Sequence, residues 1–339
     1  MTPDLPSDLK AALERAAFGV SRNAAAGRAA AISRAYRDGA SSQLIADAGD
    51  ALAYALTRMP ATYAAVAACL DALRAALPAF APASLLDVGA GPGTASFAAA
   101  EAFDGLSDVA LIDANPALRD LALRLMAGSA RLRQTTYRLG QAGTELAAAA
   151  PADLVIASYV LAELSPDEAA ALTERMWTKT AGVLLIVEPG TPEGWRRVLT
   201  AREALIARGG QIAAPCPHDT DCPLAPPDWC HFSQRLPRSR DHKQVKQADA
   251  PFEDEKFAYL AVSRLPVPQR AARVLAPPVL TKVAVTARLC TADGVALLNA
   301  PRRDKPAYAA ARRLRWGDPV AAPALEPHFE PAAPDILTR

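Results

Sequence analysis

The sequence predicts an α/β protein. Its centre is a doubly wound, Rossmann-like parallel sheet, with a helical region before it and a cysteine-rich insertion late in the chain. Three observations carry that expectation. From residue 84 to residue 208, short apolar runs alternate with helical patterns. A glycine loop, Asp87-Val-Gly89-Ala-Gly91-Pro-Gly93-Thr94, lies between the first apolar run and the first helical pattern. Three of the five cysteines crowd into residues 216–230, a proline-rich stretch that suits neither helix nor strand.

Residues 1–80 read as helical. Ser7 can cap a helix through Leu9, Ala12, Leu13 and Ala16. Ser41 or Ser42 can cap another through Leu44, Ile45, Ala48, Leu52 and Leu56. Pro60 is expected to break that pattern, and Thr62 to restart it through Val66, Leu70 and Leu73. Within 81–208, strands are expected at 85–88, 109–112, 132–137, 154–157 and 183–187. Ser165-Pro-Asp-Glu168 has the form of a capping box with proline at the first helical position, and a last helix follows at 192–208. Residues 209–256 break the rhythm as a cysteine-rich, basic insertion. Later strands at 257–262, 282–289 and 295–298, with a hairpin turn at Ala292-Asp-Gly294, are expected to complete the sheet within 257–317. The Pro- and Ala-rich tail, 318–339, is expected to be poorly ordered.

Composition narrows the functional classes. A chain of 339 residues can bury a full core and carry one large domain plus a smaller one. No apolar run reaches the roughly 18 residues of a membrane span, so no membrane partner is expected. Met1-Thr-Pro-Asp-Leu-Pro has no basic-then-apolar leader pattern, which points to the cytoplasm. In that compartment clustered cysteines point to metal rather than to disulfides. A monomer is the expected state. The net charge of +1 hides an asymmetry: residues 230–315 hold 17 Lys and Arg against 7 Asp and Glu, and the remainder 20 against 29. A basic segment beside an acidic body fits an anionic partner such as RNA, or else a solvated surface with chance clustering.

The glycine loop carries the first chemistry. Glycines there allow a tight turn and close backbone approach, and the following helix offers N–H donors. A dinucleotide fingerprint wants Gly or Ala at position 94, where this chain has Thr. The shorter form, with Asp87 two residues before Gly89, resembles motif I of class I S-adenosylmethionine methyltransferases. Asp87, Gly89, Gly91 and Gly93 are thus candidate cofactor residues. Asp113, ending the second strand, is placed to accept bonds from ribose hydroxyls or to serve as a turn residue in Asp-Ala-Asn-Pro. After the fourth strand, Ser158-Tyr159-Val-Leu-Ala-Glu163 could face the methionine end. No Asn-Pro-Pro-Tyr clamp and no nucleophilic cysteine after a core strand is present, so the acceptor and any catalytic residue stay unassigned.

The cysteines carry the second. Cys216, Cys222 and Cys230 are spaced unlike the paired Cys-x2-Cys of zinc ribbons, and Cys290 supplies a fourth thiol. Four thiols without a zinc knuckle favour a [4Fe–4S] cluster; zinc held by three cysteines and His218 or His231 is the alternative. Cys69, in an Ala-rich helix, reads as core. Directly after the cysteines come Arg235, Arg238, Arg240, Lys243 and Lys246, candidate contacts to an RNA backbone. Trp229 and Phe232 either stack on bases or pack around the metal.

Taken together, several segments resemble the methyltransferase-like proteins of the mitochondrial small ribosomal subunit and their bacterial relatives. They are Tyr36-Arg-Asp-Gly39, the stretch from Asp50 to Tyr63, the glycine loop, Glu188-Pro-Gly-Thr-Pro192 and the block 216–232. Glu255-Lys-Phe-Ala-Tyr-Leu260, Leu289-Cys290 and Arg313-Leu-Arg-Trp-Gly-Asp318 complete the set. The resemblance implies a [4Fe–4S] cluster on Cys216, Cys222, Cys230 and Cys290, S-adenosylmethionine (SAM) at the glycine loop, and association with small-subunit ribosomal RNA. The expected activity is a SAM-dependent rRNA methyltransferase with a structural cluster. Its rivals are a non-catalytic assembly factor with a vestigial pocket and a zinc-stapled small-molecule methyltransferase.

Overall fold

The structure, a computed structural model, describes residues 3–37, 42–246, 249–268, 270–320 and 323–331. Three helices form the N-terminal layer: α1 (Ser7–Ala17), α2 (Arg22–Arg37) and α3 (Ala48–Ala76). α3 starts later than the serines predicted. Its cap is Asp47, whose side chain accepts from Asp50 N–H, while Ser42–Leu44 forms a short 3-10 turn and Ser41 lies outside the described residues. Pro60 does not end α3, which runs through it. Flanking Met59, Ala61, Tyr63 and Val66 are fully buried, and their packing outweighs the one helical hydrogen bond that proline removes.

The α/β alternation then follows. The elements are β1 (Ser84–Val88), α4 (Thr94–Ala102), β2 (Asp108–Asp113), α5 (Pro116–Met126), β3 (Thr136–Leu139), α6 (Ala142–Ala148), β4 (Ala152–Ser158), α7 (Pro166–Thr178), β5 (Thr180–Pro189) and α8 (Pro192–Ile206). The capping box at Ser165 and Glu168 forms as the spacing predicts, and Asn115 and Thr191 cap α5 and α8, each with proline in the first turn. β3 begins four residues later than expected; Leu132 is buried in the turn before it. β3-β2-β1-β4-β5 pair in parallel, with apolar clusters on both faces of the sheet. This is the Rossmann-like core that the sequence predicted.

The edge beyond β5 is built differently. β8 (Phe252–Ser263) runs antiparallel to β5. Its outer side is shared by two strands: β6 (Gln211–Ala214) pairs with its C-terminal end and β7 (Phe232–Pro237) with its N-terminal end. β6 and β7 therefore continue one another along β8, and the cysteine loop, 215–231, is an excursion from that shared edge. α9 (Arg240–Lys246) follows β7.

Of the strands expected to complete this sheet, 257–262 does so within β8, but those at 282–289 and 295–298 do not, because β6 and β7 already occupy the free side of β8. They belong to a second sheet: β9 (Ala272–Val274), β10 (Val279–Leu280), β11 (Ala284–Thr291), β12 (Gly294–Pro301), β13 (Pro319–Val320) and β14 (Phe329–Pro331), in the order β13-β9-β11-β12-β14 with β10 also on β11. The β11–β12 hairpin turns at Ala292 and Asp293 as predicted. α10 (Lys305–Ala311) packs on this sheet with Val274, Val285, Leu298 and Leu325. Part of the tail expected to be loose is thus structured: β13 and β14 each find a partner strand, and Leu325 is fully buried. Residues 321, 322 and 332–339 of that tail lie outside the described residues.

Candidate functional site

β1 delivers the chain into the glycine loop. Gly89, Gly91 and Gly93 all take positive φ, at 69°, 53° and 80°. At Gly89 the constraint is double, since a Cβ there would stand 2.5 Å from Val160 Cγ2 in the loop after β4. Asp87 lies beneath the loop rather than in it: its Oδ2 accepts from Ser96 N–H (3.1 Å) and Oγ (2.7 Å), joining β1 to α4. Its Oδ1 is buried without a partner, and burial pushes its carboxyl up to about 7.

Asp113 closes over the loop from β2. Its Oδ2 accepts from Gly91 N–H at 2.8 Å and its Oδ1 from Asn115 N–H at 2.7 Å. Burial raises its pKa. Asn115 donates from Nδ2 to the carbonyls of Ser42 and Ile45, and Ser42 donates from N–H and Oγ to Glu163 Oε2 at 3.0 and 2.8 Å. One hydrogen-bonded chain thus runs from the glycine loop through Asp113, Asn115 and Ser42 to Glu163. Tyr137 adds a bond from its hydroxyl to Gly91 O at 2.8 Å. Each Asp113 oxygen keeps one lone pair for a hydroxyl donor.

At the carboxyl ends of β4 and β5, Tyr159 lies in the stretch expected to face the methionine end, whereas Arg58, Glu188 and Glu255 had no assigned role. Tyr159 takes φ +61°, a strained conformation for a bulky residue. Its hydroxyl donates to Glu255 Oε1 at 2.9 Å, which Arg58 also approaches at 3.4 Å. Glu188 is fully buried; its Oε1 accepts from Leu161 N–H at 3.0 Å and its Oε2 has no partner. Burial pushes its carboxyl up to about 8. The only signal for Arg58, Glu188 and Glu255 was their place in the segments that carried the resemblance.

Cys216, Cys222, Cys230 and Cys290 line one cavity of about 40 Å³. The first three come from the excursion between β6 and β7, and Cys290 from β11 in the other sheet. Burial raises all four thiols, Cys290 to about 12. His218 reaches Cys290 Sγ from Nε2 at 3.6 Å. His231, the other candidate zinc ligand, instead stacks on Trp229 at 4.9 Å and meets the edge of Trp316 at 4.8 Å. Among the described residues no three His, Cys, Asp or Glu side chains form a group that could hold a metal ion.

Two buried arginines complete the cavity wall. Arg202 of α8 donates to the carbonyls of His218 (3.0 Å) and Thr220 (2.6 Å), and its Nε has no partner. Arg273 of β9 donates to the carbonyls of Pro215 (3.1 Å) and Gly317 (2.9 Å). Neither pairs with a carboxylate among the described residues.

The basic segment proves less free than its sequence implied. Arg235 makes a bidentate pair with Asp254, both contacts 2.8 Å. Arg238 (3.1 Å), Lys246 (2.6 Å) and His242 (3.4 Å) converge on Glu253. Burial opposes ionisation of Glu253, but the close approach of His242 and the bonds from Lys246 and Arg238 outweigh it and hold the carboxyl far below its ordinary range. Lys243 is half-buried on α9, and the side chain of Arg240 lies outside the described residues. The cations stand beside an acidic run on β8 that sequence reading had counted only as part of a total.

Comparison with known proteins places this chain in a family. The chain is 30% identical over 304 residues to a human protein named ribosome assembly protein METTL17, mitochondrial, covering 82% of this chain and 64% of that one. It is 25% identical over 321 residues to Rsm22-cox11 tandem protein 2, mitochondrial, of Schizosaccharomyces pombe, covering 79% of this chain and 42% of that one. The chain therefore spans less than two thirds of the length of these relatives. Among solved structures, magnesium protoporphyrin IX methyltransferase from Synechocystis, with bound SAM, aligns with a TM-score of 0.41 and 16% identity over 60% of this chain and 80% of that one. The family model described as mitochondrial small ribosomal subunit Rsm22 matches residues 48–321, most of the chain, and the protein belongs to that family.

Proposed function

We propose that this protein acts with the RNA of the small ribosomal subunit during its assembly, binding SAM at the glycine loop and a structural [4Fe–4S] cluster at the four cysteines. The family match supports the ribosomal part of the reading; the observation that carries the cluster is the convergence of three thiols from the excursion and one from β11 with two buried arginines that lack carboxylate partners among the described residues. Four thiolates bring four negative charges, of which a zinc ion or the cationic core of a cluster cancels about half. Arg202 and Arg273 supply the remainder. Without an anion in the cavity, two guanidinium groups would be buried uncompensated, a costly arrangement.

Size bears on the choice between the two metals. Zinc at about 2.3 Å from each sulfur draws four sulfurs to within roughly 3.8 Å of one another. The thiols here line a cavity of about 40 Å³, larger than the about 10–15 Å³ that one water needs. That favours a cluster, which acts as a cross-link between the excursion and the second sheet. Iron and sulfide analysis after anaerobic purification tests this, with absorption expected near about 400 nm. Colourless protein with stoichiometric zinc would overturn it.

At the other site SAM, when bound, supplies an electrophilic methyl group. The chain's own part is to hold the three glycines in their left-handed turn and to offer the remaining lone pairs of Asp113 to hydroxyl donors. Transfer of labelled methyl to purified small subunits tests the enzymatic reading. A second reading, a factor with a vestigial pocket, is favoured by one observation: Gly91 and both oxygens of Asp113 are already bonded within the protein. SAM binding too weak to detect, with salt-sensitive binding to small subunits intact, would select it. No described helix is long and apolar enough to cross a membrane. The named relatives are mitochondrial; for this chain we propose the compartment in which its small subunits mature, the cytoplasm by the sequence reading.

A further inference from the structure

A second cavity, of about 1010 Å³, lies at the carboxyl ends of β4 and β5. Its walls are α2, α3, the loops that follow β4 and β5, the start of α8, and the insertion at Arg238 and Lys246. Ligand crevices of α/β proteins lie at such strand ends, and this volume is at the upper end of their usual range. We propose that it holds an unstacked nucleotide of single-stranded RNA. The inference rests on the reading above that RNA is the partner, and it names the site where RNA enters.

Charge is the first argument. Five cations line the cavity: Arg34, Arg58, Arg197, Arg238 and Lys246. Glu163 and Glu193 line it too, and Glu253 and Glu255 stand behind it, so cations exceed carboxylates by one. The excess is local. Arg34 is exposed on α2 and has no ion pair among the described residues. Arg238 and Lys246 share the single carboxylate of Glu253, and Arg197 shares Glu193 with Arg196, which holds it more closely at 2.5 against 3.7 Å. Phosphate oxygens meet such under-compensated guanidinium groups bidentately.

The aromatic wall is the second. Tyr159 is fixed through its hydroxyl on Glu255, with the Arg58 guanidinium 6.0 Å from its ring centroid. Single-stranded RNA is read by splaying bases onto such rings, and stacking tolerates every base. A duplex presents a base to a cavity only after unpairing and unstacking it, at a cost of a few kcal/mol that a single strand avoids. Position is the third argument. Glu163 lines the cavity and heads the hydrogen-bonded chain that ends on Asp113 and Gly91, so a nucleotide seated here lies beside the cofactor loop.

The test uses the full chain and a short single-stranded RNA carrying 4-thiouridine, with a duplex of the same sequence and a mononucleotide as comparison arms. We expect the single strand to bind at least tenfold more tightly than either, with cross-links at the Tyr159 wall. Arg34→Glu and Arg197→Glu should each weaken it tenfold or more, while Arg303→Glu, in the turn after β12, leaves it unchanged. Arg34 is a surface residue, and an unchanged melting curve of Arg34→Glu removes misfolding as a cause. Cross-links elsewhere, equal binding of the duplex or the mononucleotide, or indifference to Arg34→Glu would each sink the inference. If small subunits still bind in a salt-sensitive way, the inference alone has failed; if they do not, the RNA reading has failed with it.

Discussion

Arg202 and Arg273 are 3% and 6% exposed, yet their bonds are to backbone carbonyls and not to carboxylates. Arg202→Met would keep the length and apolar bulk of the side chain and remove the charge. The stabilisation that the protein gains on loading the cysteine site should then shrink by about 2 kcal/mol or more. Melting curves of loaded and metal-free protein check this, and the metal-free variant should melt no lower than its parent. Gly89→Ala acts through shape: a left-handed backbone and a 2.5 Å approach to Val160 predict a loss of about 2 kcal/mol or more in urea denaturation. Glu188 gives a signed dependence on pH. Its pKa of about 8 lies above the ordinary carboxylate value near 4.5, so the unfolded chain releases the proton first. Stability is full below about pH 4.5, falls as pH rises, and levels off past about pH 8. Glu188→Gln keeps the acceptor for Leu161 N–H, and its stability should be flatter between about pH 5 and 8.

Elements show where sequence reading succeeds and where it stops. The glycine loop, the capping box at Ser165 and the Ala292-Asp293 turn were legible because each is a local pattern with a local physical cause. Pro60 misled because its cost is local while the packing that repays it comes from residues far along the chain. The second sheet was hidden for a related reason: which strand claims the free side of β8 depends on partners, not on the strand's own residues. The insertion's cations were legible as a run, but their carboxylates arrive from β8 by strand pairing. Glu253→Gln follows from that. It releases Arg238 and Lys246, so it should destabilise the chain by about 2–3 kcal/mol while strengthening RNA binding at low salt. Opposite signs in denaturation and binding assays would distinguish this from simple misfolding.

At the scale of the whole molecule, two sheets meet at one cavity, and no single sheet owns it. Removal of iron under mild chelation should open the excursion at 215–231 to protease before the Rossmann-like core is cut, read by mass spectrometry of the first fragments. Cleavage beginning in the core would contradict a cross-linking role for the cysteines. Cysteine spacing made a metal site conceivable; only the fold reveals that Cys290 approaches from β11 and brings Arg273 beside it, the two residues being direct partners in the β9–β11 register.

That division of the thiols has a consequence in time. A chain emerging from the ribosome presents Cys216, Cys222 and Cys230 long before Cys290, and Cys290 reaches the cavity only once the β11–β12 hairpin has formed. A chain stalled before residue 290 holds three thiols and an open wall. Closure of the cavity thus reports that translation has passed the hairpin and that the second sheet has docked.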